Sequence, residues 1–166
     1  LDTFAELEAE LEAELEARTT QYEEIRNRLM DLDVVEEHPL SGLIRELCPN
    51  GVEMKSIGEV TRNFTPPKKI PRSEFSIGGD IPIIDQSKDA IAGYTSDVAA
   101  LIDLGPTVIF GDHTRVLKFF DKPFAAGADG TVVLQATEMV DPKYLFYAFS
   151  STSIPSRGYN RHWSIV

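Results

Sequence analysis

The chain has 166 residues, of which 42% are hydrophobic, and a formal net charge of −11; this size is typical of one domain with or without an appendage. It contains no apolar run of about 18 residues and no signal-like opening, so we expect neither a membrane span nor a secretory leader. Its single cysteine, Cys48, cannot form an internal disulfide or a cysteine-rich zinc site. We therefore expect a reduced thiol in a cytoplasmic protein without a structural metal.

The negative charge is concentrated at the start of the chain. Residues 1–37 contain 13 acidic residues and 3 Arg, a net charge of −10, whereas residues 38–166 contain 14 acidic and 13 basic residues, a net charge of −1. Local basic clusters can therefore act in the second part. We predict a helical arm over residues 1–37, a linker over 38–51 and a second domain over 52–166.

The arm has the pattern of a coiled coil. Residues 1–33 lack Gly and Pro and are rich in Ala, Glu, Leu and Arg, which favours a long helix. With Leu1 at heptad position a, eight of the ten a and d positions are apolar or Tyr, and Glu8 and Arg18 are the exceptions. Since one helix cannot bury this stripe, we predict a helix interface at Phe4, Leu11, Leu15, Tyr22, Ile25, Leu29 and Leu32. The Glu-rich face is interpreted as solvated, and a docking surface for a basic partner is the alternative.

The remaining elements follow in chain order. Pro39 is expected to end the long helix, and residues 43–47 form a short helical turn. Strand-length apolar runs follow at 54–60, 81–85, 107–110, 116–120 and 131–134, with a weaker candidate at 91–94. Residues 98–103 fit either a short helix or a strand. Asp141 and Pro142 suit the start of a helix over 141–150. The predicted fold is α+β, a long coiled-coil-type helix followed by a compact strand-rich domain.

Catalytic motifs are absent from the sequence. It has no phosphate-binding glycine loop and no His-Glu-x-x-His, and residues 65–68 lack the amide and the ring of a base-flipping methyltransferase motif. Asp80, Asp85 and Asp89 are interpreted as turn and loop acids rather than metal ligands. Residues 112–113 pair an acid with a histidine, but neighbours on a strand point to opposite faces. We therefore expect no catalytic residue, no metal site and no cofactor in this chain.

Three basic clusters in the second part have the composition of nucleic-acid contacts. The first, with Arg62, is a proline-stiffened loop; the second follows the strand near residue 110; the third mixes cations, an amide and aromatic rings. The predicted DNA-binding residues are Lys68, Lys69, Arg72, Lys88, His113, Thr114, Arg115, Lys118, Arg157, Tyr159, Asn160 and Arg161.

These residues divide by expected role. Phosphate contacts are assigned to Lys68, Lys69, Arg72 and Lys118, base contacts to His113, Thr114, Arg115 and Asn160, and either role to Arg157 and Arg161. Three alternatives stay open. The loop lysines can be plain solvated surface, His113 can be a buried histidine bonded to Asp112 or to a backbone group, and Tyr159 and Trp163 can be packing residues.

Several segments resemble the DNA-specificity subunits of type I restriction-modification enzymes. Residues 1–18, together with Gln21-Tyr22-Glu23 and Arg26, are similar to the conserved helical region of that family. Residues 108–115 (VIFGDHTR) and 123–130 (PFAAGADG) resemble its target recognition domain, and residues 158–162 (GYNRH) resemble the junction with the next conserved helix. The resemblance covers nearly the whole chain.

The resemblance implies a non-catalytic, cytoplasmic subunit of a bacterial or archaeal defence system. A complete subunit has two recognition domains separated by two antiparallel conserved helices, each domain recognising half of a split site in double-stranded DNA. Modification subunits methylate adenine with S-adenosylmethionine, and restriction subunits add ATP-dependent translocation and cleavage. Any S-adenosylmethionine, ATP and magnesium would thus belong to partner subunits.

This chain has one helix and one recognition domain, which corresponds to half a subunit. Whether it pairs with itself through the helix stays open; if it does, we expect a symmetric dimer. The alternative function is a coiled-coil protein-interaction scaffold without DNA binding, and an enzyme domain fused to a coiled coil is a third.

Overall fold

The computed structural model describes residues 2–32, 35–128 and 130–152, and the fold is α+β, as predicted. The chain divides into two compact units, Leu1–Met54 and Lys55–Val166. The predicted contacts at Arg157, Tyr159, Asn160 and Arg161 lie outside the described residues, and so does the proposed helix junction.

The first unit is dominated by helix α1, Asp2–Met30, followed by a 3₁₀ turn at Val35–Glu37 and helix α2, Ser41–Leu47. The helix therefore ends well before Pro39, and the prediction that this proline ends it is wrong. The buried imidazole of His38 instead contacts the last turn of the helix. Because Leu40 N–H donates to His38 Nδ1 at 3.0 Å, Nε2 carries the proton and donates to the Leu29 carbonyl at 3.1 Å. A carbonyl of the last turn is satisfied in this way.

The predicted apolar stripe lies uncovered on α1. Five of its side chains are between 53% and 78% exposed, namely Phe4, Leu11, Leu15, Tyr22 and Ile25. Leu29 is half-buried near the helix end, but Leu32 lies beyond Met30, so its assignment to the helix face is wrong. Arg18 bonds Glu14 one turn away at 2.6 Å, an exposed pair that adds little stability.

The second unit consists of nine strands and two helices in the described part of the chain. The elements are α3 Ile57–Val60, β1 Thr61–Phe64, β2 Lys69–Ile70, β3 Ile81–Ile84, β4 Gly93–Thr95, β5 Leu101–Ile102, β6 Thr107–Gly111, β7 Leu117–Phe120, β8 Phe124–Gly127, β9 Thr131–Ala136 and α4 Pro142–Ser151, with 3₁₀ turns at Arg72–Glu74 and Val98–Ala100.

The strands form two sheets. The first is antiparallel in the order β1-β9-β6-β7. The second has the order β2-β8-β3-β4, with β5 also on β8; its β2–β8 and β3–β8 pairs are parallel. Ile84 and Phe124 of the second sheet share one buried cluster with Ile109 and Val133 of the first. The two sheets therefore pack face to face around the main core.

Helix α4 covers the other side of the first sheet. Its Leu145 and Phe149 pack against Val108 and Phe110 of β6, so β6 is buried on both faces and reads as a continuous apolar run. Asp141 caps this helix as predicted, since its Oδ1 accepts from the N–H groups of Lys143 and Tyr144, both at 2.9 Å.

Most predicted strands are confirmed. The runs at 81–85, 107–110, 116–120 and 131–134 correspond to β3, β6, β7 and β9, and the weaker candidate overlaps β4. Residues 98–103 contain both a 3₁₀ turn and strand β5. The strand at 54–60 is wrong, because Ser56 and Glu59 form a reciprocal capping box that starts a helical turn at Ile57. Strands β1, β2 and β8 were not predicted.

Candidate nucleic-acid interface

Three loops meet at one edge of the second unit. Strands β3 and β8 are parallel neighbours, so both end at this edge. Strand β6 also ends there, because its last residue, Gly111, pairs with Thr131 at the start of β9. The three loops contribute residues 85–89, 112–116 and 130 to this edge, and we call these residues the three-loop edge. Asp112 N–H donates to the Gly130 carbonyl at 2.7 Å, joining the second loop to the third.

Gln86 links the first loop to the second. Its side-chain Oε1 accepts from His113 N–H at 3.3 Å, and its backbone carbonyl accepts from Thr114 Oγ1 at 2.7 Å. Sequence reasoning missed this residue, because a single uncharged side chain after a strand carries no charge or motif signal. The only available signal was its position directly after the buried run of β3.

The turn after β6 holds Arg115 in a left-handed backbone conformation. Arg115 has φ of 59°, a conformation that costs a non-glycine residue about 1–2 kcal/mol. Its N–H donates to the Gly111 carbonyl at 2.7 Å, and Gly111 N–H donates to the Val116 carbonyl at 2.8 Å. Backbone strain of this kind concentrates at functional sites.

The predicted base contacts His113, Thr114 and Arg115 are all exposed on this turn. The alternative in which His113 is buried is therefore wrong. Asp112 and His113 lie in the turn beyond the end of β6, so their placement on a strand is also wrong. Among the described residues, Asp112 Oδ1 is buried without a hydrogen-bond partner, a second local departure from ordinary structure.

Two other predicted cations bond main-chain carbonyls at the same edge. Lys118 Nζ donates to the Asp89 carbonyl at 2.6 Å and lies 3.6 Å from Asp85 Oδ1, with both ionic side chains only 10% exposed. Lys69 lies in β2 rather than in a loop, and its Nζ donates to the Thr131 carbonyl at 2.7 Å. Both lysines therefore cross-link the edge, with Lys69 exposed and Lys118 half-buried, and their phosphate contacts stay predictions.

Asp85 is a buried carboxylate beside Lys118 at the three-loop edge. Burial is the largest single influence and opposes its ionisation. The hydrogen bonds from Ser87 Oγ and N–H, together with the positive charges of Lys118 and Arg72, nevertheless hold its pKa below the usual value. Burial is also the main cause that lowers the pKa of Lys118, and Asp85 offsets part of it. The interpretation of Asp85 as a loop acid fits its bonds to Ser87.

The remaining predicted cations are at the surface. Lys88, in the first loop, and Arg72, in a 3₁₀ turn, are exposed. The influence of Arg72 on the pKa of Asp85 places it near the same edge. Lys68 pairs with Asp97 at 2.6 Å, and the hydrogen bond raises the pKa of the lysine. Two residues of the first sequence cluster, Lys69 and Arg72, therefore lie near the second cluster, about 45 residues away along the chain. Arg62 lies in β1 opposite Gln135 and not in a loop, so its assignment to the loop is wrong.

Two glycines allow the loops to approach closely. A Cβ atom on Gly111 would collide with Thr114 Oγ1 and lie 2.8 Å from Gln86 Cβ, and one on Gly130 would lie 2.9 Å from Gln86 Oε1. Gly130 also has a φ of 72°, in the left-handed region. The glycines of the two segments that carried the family resemblance are thus required by packing at this edge.

The described residues include neither a metal-binding cluster nor a membrane-spanning helix. No group of three or more His, Cys, Asp or Glu side chains there is arranged to hold a metal ion. No helix of residues 2–32, 35–128 and 130–152 is both long enough and apolar enough to cross a bilayer.

The fold defines an α+β class in which a long helix precedes a domain of two packed sheets. A solved structure with a similar fold is the S subunit of a type I restriction-modification system from M. genitalium, with a TM-score of 0.57 and 16% sequence identity. The similarity covers 81% of this chain and 37% of that one, so the chain spans much less than the length of that protein. No family model and no curated protein match the sequence. The comparison therefore shows the fold alone.

Proposed function

We propose that this chain recognises double-stranded DNA as the specificity subunit, or half-subunit, of a type I restriction-modification system. The observation that carries the proposal is the three-loop edge, where an exposed His113-Thr114-Arg115 turn is held in a strained conformation beside exposed cations. The fold shared with an S subunit supports the same function. Adenine methylation and restriction, with S-adenosylmethionine, ATP and magnesium, would belong to modification and restriction subunits.

The turn suits direct recognition of bases. A guanidinium donates two parallel hydrogen bonds to the O6 and N7 of guanine, and an imidazole donates or accepts one. His113 and Arg115 are therefore the main proposed base contacts. Lys88 and Arg72 flank them as proposed phosphate contacts, which add affinity without sequence preference. The assignments of Arg157, Tyr159, Asn160 and Arg161 stay predictions.

Selection from a random-sequence duplex pool tests this function. The chain is incubated with the pool at low and moderate salt, with and without a modification subunit from the same organism, and the retained DNA is sequenced. We expect a short split motif to be enriched when the modification subunit is present. Retention of no duplex under any condition would contradict DNA recognition.

Arg115→Ala separates base recognition from phosphate binding. If Arg115 bonds a guanine, its loss should weaken the selected motif by about 1–3 kcal/mol and relax preference at one position. Binding to random duplex should change little. Uniform weakening for all sequences, measured by competition titration, would instead assign Arg115 to a phosphate.

A coiled-coil scaffold without DNA binding is the second candidate, favoured by the uncovered stripe on α1, where Phe4 is 78% exposed. Under the main proposal the same stripe packs against a second conserved helix. A chain that binds a protein partner through α1 but retains no duplex would support the scaffold.

A further inference from the structure

We infer that Gln86 is the positioning residue of the base-recognition turn: it fixes the backbone from which Arg115 is presented, and it does so from a different loop. The inference rests on the proposed function for the statement that the turn recognises bases. The placement of the turn by Gln86 is a property of the fold and can be measured without DNA.

Both polar ends of Gln86 are directed at the turn. The side-chain oxygen accepts from His113 N–H, and the main-chain oxygen accepts from Thr114 Oγ1, at 3.3 Å and 2.7 Å. Thr114 and His113 directly precede Arg115. Thr114 Oγ1 also accepts from Val116 N–H at 3.3 Å, so the hydroxyl bonded to Gln86 spans the left-handed residue. Gln86 is thereby bonded to residues on the amino-terminal side of Arg115, and through Thr114 to the residue after it.

The packing around Gln86 makes this arrangement specific. A Cβ on Gly111 would lie 2.8 Å from Gln86 Cβ, and a Cβ on Gly130 would lie 2.9 Å from both Gln86 Oε1 and His113 Cδ2. Glycine at both positions leaves room for the Gln86 side chain between the second and third loops. The half-buried amide therefore occupies a site shaped for it.

The bonds from Gln86 matter because Arg115 has a left-handed backbone conformation. A non-glycine residue at φ of 59° relaxes toward negative φ unless its surroundings hold it. Relaxation would redirect the Cα–Cβ bond of Arg115 and move its guanidinium relative to the rest of the three-loop edge. A long, flexible side chain recognises a base well only when its backbone is fixed beforehand, because less freedom is then lost on binding.

The test compares Gln86→Met, which keeps the length but removes the acceptor, with Gln86→Glu, which keeps an acceptor. Gln135→Ala, on β9, is the matched control at a half-buried glutamine. Hydrogen exchange of the His113 amide is measured first on the full 166-residue chain. We expect exchange to be about ten-fold faster in Gln86→Met, as for one lost hydrogen bond, and unchanged in Gln86→Glu and Gln135→Ala.

The second readout is discrimination between the selected motif and random duplex. We expect Gln86→Met to lower this ratio about ten-fold while its affinity for random duplex and its melting temperature stay close to those of the wild type. Gln86→Glu should preserve the ratio, although its added charge weakens binding to all DNA. A role limited to stability would move the melting temperature and leave the ratio unchanged.

Exchange of the His113 amide tests whether Gln86 positions the turn, and the binding ratio tests whether that turn recognises bases. Unchanged His113 exchange in Gln86→Met overturns the inference whatever the DNA results are. Faster exchange with an unchanged ratio also overturns it, because the turn is then not the base-recognition element that Gln86 positions. If the wild type selects no motif, the proposed function fails and the base-recognition part of the inference fails with it, while the exchange result still decides whether Gln86 positions the turn.

Discussion

At the residue scale, the three-loop edge depends on polar side chains that bond inward. Asp85 accepts hydrogen bonds from Ser87 of its own loop, and Lys118 of β7 donates to the Asp89 carbonyl beside Asp85. A buried polar group stabilises a fold only when its partners are in place, since each unmade bond costs about 1–3 kcal/mol. The same contacts that hold the edge are therefore sensitive to substitution and to pH.

Asp85 makes the edge sensitive to acid. Its folded-state pKa is below the usual value, so it contributes stability above the unfolded pKa of about 3.9, and that stability is lost as the pH falls through the folded pKa. We expect Asp85→Asn to be less stable than the wild type by about 2 kcal/mol at pH 7. The difference should shrink below about pH 4, as measured by urea unfolding across pH 2.5 to 7. A constant difference over that range would contradict the assignment.

At the scale of elements, the sequence predicted what depends on local pattern. Helix α1 and the capped start of α4 follow from helix propensity and from Asp141. Strands β3, β6, β7 and β9 follow from apolar runs. Strand β8 (FAAG) has only four residues, and small residues follow Phe124. It is a strand because it pairs with β2, β3 and β5, a tertiary cause that no local pattern contains.

The end of α1 was mispredicted for a similar reason. Pro39 is the stronger local signal, but the carbonyl of Leu29 in the last turn is bonded by a histidine nine residues further along the chain. We expect His38→Ala to release the Leu29 carbonyl and to fray the last turn, speeding exchange of the Asp31 amide, which bonds Asn27 at 3.0 Å, by about five- to ten-fold. The exposed neighbour Glu37→Ala is the control and should leave that exchange unchanged. Equal exchange in His38→Ala and the wild type would show that α1 ends without the imidazole.

At the scale of the whole molecule, most of the net negative charge lies in the first 37 residues. The arm over residues 1–37 carries a net charge of −10 and would repel a phosphate backbone, whereas residues 38–166 carry −1. The candidate site was predicted in part from this division of charge. The sequence indicated basic clusters around Arg72 and Arg115, and the fold brings Arg72 near Asp85 of the three-loop edge. Their proximity could not be predicted without the sheet order. The bonds from Lys69 and Lys118 to main-chain carbonyls could not be predicted either, because composition does not say which acceptor an ammonium contacts.

Salt dependence tests the surface charges directly. Since Lys88 is exposed on the three-loop edge, we expect Lys88→Ala to weaken binding to every duplex about equally. It should also reduce the slope of log K against log salt by about one unit. Lys143→Ala, at an exposed lysine near the start of α4, is the control and should keep the wild-type slope. A sequence-dependent effect of Lys88→Ala would move that residue from phosphate contact to base contact.

Under the proposed function, the hydrogen bonds between the three loops determine how the domain could acquire a new DNA target. Because the turn at 112–116 is bonded to Gln86 and packed against Gly130, a graft of that turn alone into another scaffold would lose both supports. Changes of specificity should therefore arise by joint exchange of residues 85–89, 112–116 and 130, or by substitution of exposed side chains on an unaltered backbone. Libraries designed for retargeting would vary His113 and Arg115 while keeping Gln86 and the two glycines fixed.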